Sequence, residues 1–145
     1  MFISDNAKNR ERFLKVIQIY LALTVFLALF GAVYERFSHE VYSYYMLYAF
    51  SIPLLLGVVV FFLLMKHGRA YPNALTAALY HGGIAAMSLG SIVSGILEIY
   101  GTDHPLTRLY WILGSTLCVL GVLSYLLLGS VLGRNRQKKA THDVS

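Results

Sequence analysis

The sequence predicts an all-α fold: an integral membrane four-helix bundle, up-down-up-down, with both termini on the cytoplasmic side. Three observations predict it. The 145 residues are 57% hydrophobic and 13% charged, with mean hydropathy +0.62, whereas soluble domains carry roughly 25% charged residues. The apolar residues fall in four runs, each near the roughly 20 residues that cross a bilayer core of about 30 Å. The cations gather at one set of run ends.

The first run spans Val16 to Tyr34 and holds 19 residues without a charge. It is too long for the apolar stretch of a signal peptide, and no small-residue cleavage site follows it, so it reads as a retained helix. The second run extends from Val41 to Met65, with Pro53 inside it as the expected site of a kink. The third extends from Tyr71 to Leu97, where Pro72 suits the first helical turn because its missing donor costs little there. The fourth extends from Leu109 to Gly133. The division that follows is a cytoplasmic N-terminal segment over 1–15, a four-span domain over 16–133 and a basic cytoplasmic tail over 134–145, short, polar and expected to be disordered.

Orientation follows from the cations. Lys8, Arg10, Arg12 and Lys15 precede the first run, Lys66 and Arg69 lie between the second and third, and Arg134, Arg136, Lys138 and Lys139 follow the fourth. That is ten on one side, against Arg36 and Arg108 on the other, a strong positive-inside asymmetry. The net charge of +5 therefore belongs to membrane orientation and not to a nucleic-acid surface. The opposite face carries Glu35, Glu40, Glu98 and Asp103. It also carries Tyr34, Tyr42, Tyr44, Tyr45, Tyr48, Tyr100, Tyr110 and Trp111, the rings of an aromatic belt at headgroup level.

Lipid tails are as apolar as leucine, so helices in a bilayer associate through close packing of small residues. The third run has Gly82, Ala86, Gly90 and Ser94 four apart, widened by Gly83, Ser91 and Gly95. The fourth offers Gly114, Cys118 and Gly121. The third and fourth spans are thus expected to make the closest contact, and the same stripe would also suit a homo-oligomer. A short gapped repeat adds to this. Gly31, Glu35, Phe37 and His39 at the end of the first run are echoed by Gly95, Glu98, Tyr100 and His104 at the end of the third.

Few polar groups carry chemistry. Glu35 and His39 share a helical face if the first helix continues, and Glu98, Asp103 and His104 come from the other outer loop. Imidazole and carboxylate from two hairpins are ordinary ligands for a divalent metal, although the spacing matches no standard metal motif, and wettable side chains also collect at any membrane rim. His81 lies well inside the third span, where an ionisable group is a functional candidate. It suits an axial haem ligand or a quinone contact, with Gly82 and Gly83 admitting a flat ring, but no second histidine lies at its depth. The plainer role is a neutral histidine hydrogen-bonded between helices, with Gln18 or Thr76 as partner.

Absences narrow the classes. Cys118 is the single cysteine, so no intramolecular disulfide or paired-cysteine metal site forms. No Asp, Glu, Lys or Arg falls in the middle of a span, which argues against a stand-alone ion-coupled transporter. No nucleophile triad, zinc-protease or phosphate-loop motif is present.

The stretch Tyr34-Glu-Arg-Phe-Ser-His-Glu-Val-Tyr42 resembles an uncharacterised family of small four-helix integral membrane proteins from Gram-positive bacteria. So do Tyr80-His-Gly-Gly-Ile-Ala-Ala and Gly95-Ile-Leu-Glu-Ile-Tyr-Gly-Thr102. The resemblance runs over nearly the whole chain, on Glu35, His39, His81, Glu98 and the glycines of the third span. It implies a bacterial cytoplasmic-membrane location and no particular activity. The function expected from the sequence is a non-enzymatic accessory or structural subunit of a larger membrane assembly, partnered by lipid and by itself or another membrane protein, without nucleic acid. The alternatives are a haem-, quinone- or metal-binding protein using His81 or the outer Glu/His cluster, and an enzyme acting on headgroups at the outer face.

Overall fold

The computed structural model describes residues 2–37 and 43–142, with side chains over 5–37 and 43–129. Among the described residues the chain is helical and contains no strand. Helix α1 covers Phe2–Phe37 and α2 covers Tyr44–Leu47. A π-helical segment, Pro53–Val59, runs into α3, Val60–Lys66, and α4 (Ala74–Ile99) and α5 (Leu106–His142) follow. Three stretches are long and apolar enough to cross a membrane, by length and composition: Asp5–Phe37, Ala74–Ile99 and Leu106–Gly129.

The second apolar run departs from the single span expected over Val41 to Met65. Its first two residues lie outside the described segments. The remainder is broken by turns at Tyr48–Phe50 between α2 and the helix leading to Lys66. Proline cannot donate the bond that closes a helical turn, and from Pro53 the ladder takes π-helical spacing. The wider turn is stabilised from outside. The Tyr80 hydroxyl donates to the Leu56 carbonyl at 2.9 Å, and Gly57 opens a seat for the ring of Tyr20. A Cβ on Gly57 would stand 2.4 Å from Tyr20 Cγ, closer than atoms pack.

The turns on either side of α4 each begin where a helix ends, and in the same way. Gly68 (φ 62°) and Gly101 (φ 69°) take the left-handed conformation that glycine adopts without a Cβ penalty. The amides after them, Arg69 and Thr102, donate back to Leu64 and Leu97, the six-to-one bond of a glycine-terminated helix. Helix α4 starts at an Asn73 cap, whose side chain accepts from the Thr76 amide at 2.8 Å. Pro72 therefore precedes the cap instead of occupying the first turn.

Helix α1 begins at Phe2, so most of the N-terminal segment over 1–15 continues the first helix. There Asn9 Oδ1 accepts from the Tyr71 amide at 2.9 Å and Asn9 Nδ2 donates to the Arg69 carbonyl at 3.2 Å. Phe13, fully buried, meets Tyr71 edge-on at 5.2 Å. Burial raises the Tyr71 phenol above its ordinary pKa, and the Arg12 guanidinium opposes the rise. The tail past Gly133 is likewise helical, with α5 continuing to His142.

A core cluster joins Phe13, Ile17 and Tyr20 of α1, Phe61 of α3, and Tyr80 and Ile84 of α4. Helix α5 packs principally on α4, through glycines. A Cβ on Gly83 would meet Cys118 Sγ at 2.5 Å and the Gly114 carbonyl oxygen at 2.7 Å. One on Gly114 would meet Met87 Cγ at 2.4 Å, and one on Gly90 would meet Tyr110 Cβ at 2.6 Å. A Cβ on Gly121 would stand 3.0 Å from Tyr80 Cβ. The tightest contact thus runs through Gly83 and not Gly82, near whose missing Cβ only Leu117 lies, at 3.9 Å. Ala86 is half-buried.

Large apolar side chains also cover the outside, and several small polar ones are buried. Buried positions include Thr24, Ser43, Thr76, Ser88 and Ser91, while Ile19 is 65% exposed, Phe26 60% and Ile112 63%. Faces of this kind mark surfaces that meet lipid or other protein.

Candidate functional site

Several interior polar groups are built into helix contacts. His81 Nδ1 shares a 2.5 Å hydrogen bond with the Tyr20 hydroxyl, and the imidazole stacks on Phe61 with centroids 5.3 Å apart and planes 14° apart. Tyr20 reaches it because Ile17, Tyr20 and Thr24 lie on the buried face of α1. The partners expected from the sequence are elsewhere. Gln18 is exposed, and Thr76 Oγ1 pairs with Ser124 Oγ at 2.8 Å. Gly83 does not open a slot for a flat ring beside His81, because Cys118 and the backbone of α5 occupy the space over it, whereas Gly82 has only Leu117 near it, at 3.9 Å. Ser91 Oγ donates to the Tyr45 carbonyl at 2.6 Å, and Thr24 Oγ1 to the Tyr20 carbonyl at 2.7 Å.

The ends of α1 and α4 that carry the short repeat both pack against α2. Gly31 and Gly95 flank Met46 of α2. A Cβ on Gly31 would sit 3.0 Å from the Met46 carbonyl oxygen, and one on Gly95 2.9 Å from Met46 Cβ and 3.0 Å from its nitrogen. Tyr34 lies beside Tyr100. Ser43, with no exposed surface, caps α2 by accepting from the Met46 amide at 3.4 Å and donates to Glu98 Oε2 at 2.6 Å. The belt residues Tyr34, Tyr44, Tyr45, Tyr48, Tyr100 and Trp111 therefore gather at one end of the molecule, while Glu40 and Tyr42 lie outside the described residues. Tyr44 stacks on Tyr48 at 6.5 Å, and Tyr45 lies 6.4 Å from Trp111.

Beside this junction is a polar cavity of about 400 Å³, walled by the end of α4, the turn at 100–105, the start of α5, and Tyr45 of α2. Glu98, Asp103 and Arg108 line it together with Ser94, Leu97, Thr102, Thr107 and the rings of Tyr45 and Trp111. The expected outer cluster is thus divided. Glu98 lines the cavity. Glu35 does not, and one of its carboxylate oxygens is shielded from solvent. His104 is exposed, and its Nδ1 accepts from the Leu106 amide at 3.3 Å where α5 begins. His39 lies outside the described residues. Among the described residues no group of three or more His, Cys, Asp or Glu side chains assembles as a metal site.

Arg108, Tyr45 and Trp111 were legible only as a rim cation and belt rings. The available signal for Arg108 was its isolation, as one of two cations among four acids on that face. For Tyr20 the signal was a hydroxyl on the same helical face as Ile17 and Thr24.

No family model, no curated protein and no solved structure matches this chain.

Proposed function

We propose that this chain is a four-span protein of the cytoplasmic membrane with both termini inside, acting as a non-enzymatic accessory subunit of a larger membrane assembly. One observation carries the reading: several polar side chains within the apolar helices are taken up by hydrogen bonds to neighbouring helical segments. Tyr20 with His81, Thr76 with Ser124, Tyr80 with Leu56 and Ser91 with Tyr45 tie helices together, which is how polar side chains serve as glue in a bilayer. An intramembrane catalyst or carrier would hold such groups open toward a substrate path.

The distribution of charge supports the orientation. Lys8, Arg10, Arg12 and Lys15 share the end of α1 that docks on the loop holding Arg69, while Glu98, Asp103 and the clustered rings lie at the other end. Positive residues face the cytoplasm. The broken second run then crosses with α2 at the outer rim and Pro53–Lys66 descending.

The test is affinity purification of the full chain from membranes in a mild detergent. A stoichiometric membrane-protein partner, on a colourless and metal-free sample, is the expected result. A stable lone monomer with nothing co-purifying overturns the accessory reading. A Soret band or stoichiometric metal would reassign the protein to cofactor binding.

A second reading is favoured by the outer cavity: recognition of a small ligand at the membrane surface. A cavity of about 400 Å³ lined by acids, a guanidinium and two rings falls within the size of small-molecule sites, roughly 300–1,000 Å³. An accessory subunit and a ligand receptor are compatible roles.

A further inference from the structure

Resting on the ligand-cavity reading just given, we propose that the outer cavity binds the headgroup of a phospholipid that carries both a phosphate and a primary ammonium, of the phosphatidylethanolamine type. The argument begins with the charges. Glu98, Asp103 and Arg108 all line the cavity. Glu98 directs Oε2 to Ser43, and among the described residues neither acid forms an ion pair with Arg108. Opposite charges that border one cavity without closing on each other present a dipolar field, and the matching guest is dipolar.

Each end of such a headgroup has a partner. A planar guanidinium donates two parallel bonds to phosphate oxygens. A primary ammonium donates to carboxylates, which a quaternary ammonium cannot do. Tyr45 and Trp111, 6.4 Å apart, add π faces that attract the cation.

The position selects a lipid over a soluble zwitterion. Arg108 and Trp111 stand on the first turns of α5, and the same turns expose Leu109, Ile112 and Leu113. A headgroup seated in the cavity would leave its acyl chains running down that apolar face into the bilayer. The aromatic residues around the opening are the kind that settle at headgroup level.

Trp111 is the only tryptophan and lines the cavity, so its emission reports occupancy. Short-chain phosphatidylethanolamine is titrated into the full-length protein in a sugar-based detergent. Matched phosphatidylglycerol, phosphatidylcholine and free phosphoethanolamine are titrated in parallel. The expected result is a saturable change with the ethanolamine lipid at the lowest concentration of the four. Asp103→Asn and Arg108→Gln, both at exposed positions, should each weaken it about tenfold or more, as loss of a charge-assisted bond does.

Equal responses to all three lipids, or wild-type affinity in both variants, overturn the proposal. Free phosphoethanolamine binding as tightly as the lipid overturns the lipid source and leaves a zwitterion site. No response to any probe overturns the ligand-cavity reading as well. Sidedness is read separately, with a Thr102→Cys variant in a Cys118→Ser background and a membrane-impermeant maleimide on intact cells. Labelling without lysis is expected. Labelling only after lysis overturns the outer placement, whatever the titration gives.

Discussion

Tyr20 and His81, 61 positions apart, share a hydrogen bond that joins α1 to α4 above the stacked ring of Phe61. The bond fixes His81 as an interhelical tie. Tyr20→Phe should leave the imidazole nitrogen without its partner and lower stability in detergent by about 1 kcal/mol, the scale of such bonds between membrane helices. Unfolding by graded denaturing detergent measures it. A Soret band in wild-type protein that disappears in His81→Ala would instead make the histidine a haem ligand.

Gly82 and Gly83 are neighbours with opposite expectations. Gly83→Ala places a methyl 2.5 Å from Cys118 Sγ and 2.7 Å from the Gly114 carbonyl oxygen, and the carbonyl oxygen belongs to backbone that cannot swing aside. It should cost about 1–3 kcal/mol, the range of overpacked cores, and loosen α5 from α4. Gly82→Ala, with its nearest contact at 3.9 Å, should be tolerated. Thermal unfolding of the two variants side by side decides, and equal midpoints would count against the tight α4–α5 contact.

Gly31 and Gly95 act through one residue, Met46. Each alanine substitution should push α2 away from its seat. Once one has displaced Met46, the second should add less than its separate cost. The double-mutant cycle is therefore expected to show a coupling of about 0.5 kcal/mol or more. Strict additivity would mean that the two glycines do not share the contact.

Ser43 and Ser88 form a contrasting pair of buried hydroxyls. Ser43 caps α2 and bonds Glu98, so Ser43→Ala should destabilise by about 1–2 kcal/mol. Ser88 Oγ is buried with no hydrogen-bond partner among the described residues. A buried hydroxyl without a partner costs free energy, so Ser88→Ala should be neutral or stabilising. Ser88→Ala falling as far as Ser43→Ala would reveal a bond that the described residues do not contain.

The helical class, the long apolar helices and the crowding of acids and rings at one end were legible in the sequence. They follow from properties that need no neighbour: hydropathy summed over a window, and the placement of charges beside apolar runs. The turns were legible in part, because a glycine beyond a helix end signals a left-handed residue, as at Gly68 and Gly101. What only the tertiary structure decided was pairing. Nothing in the chain says that Tyr20 and not Gln18 faces His81, that Gly83 and not Gly82 meets α5, or that Glu98 finds Ser43 while Glu35 is turned elsewhere. Each depends on helix rotation and depth to within a fraction of a turn. One residue moves a side chain by about 100° around a helix axis, and the rotation is set by how two surfaces of small and large residues interlock. The break at Tyr48–Phe50 and the π-helical spacing after Pro53 belong to the same class: the apolar run is continuous, and the partners of the wide turn, Tyr80 on the Leu56 carbonyl and Tyr20 against Gly57, come from other helices.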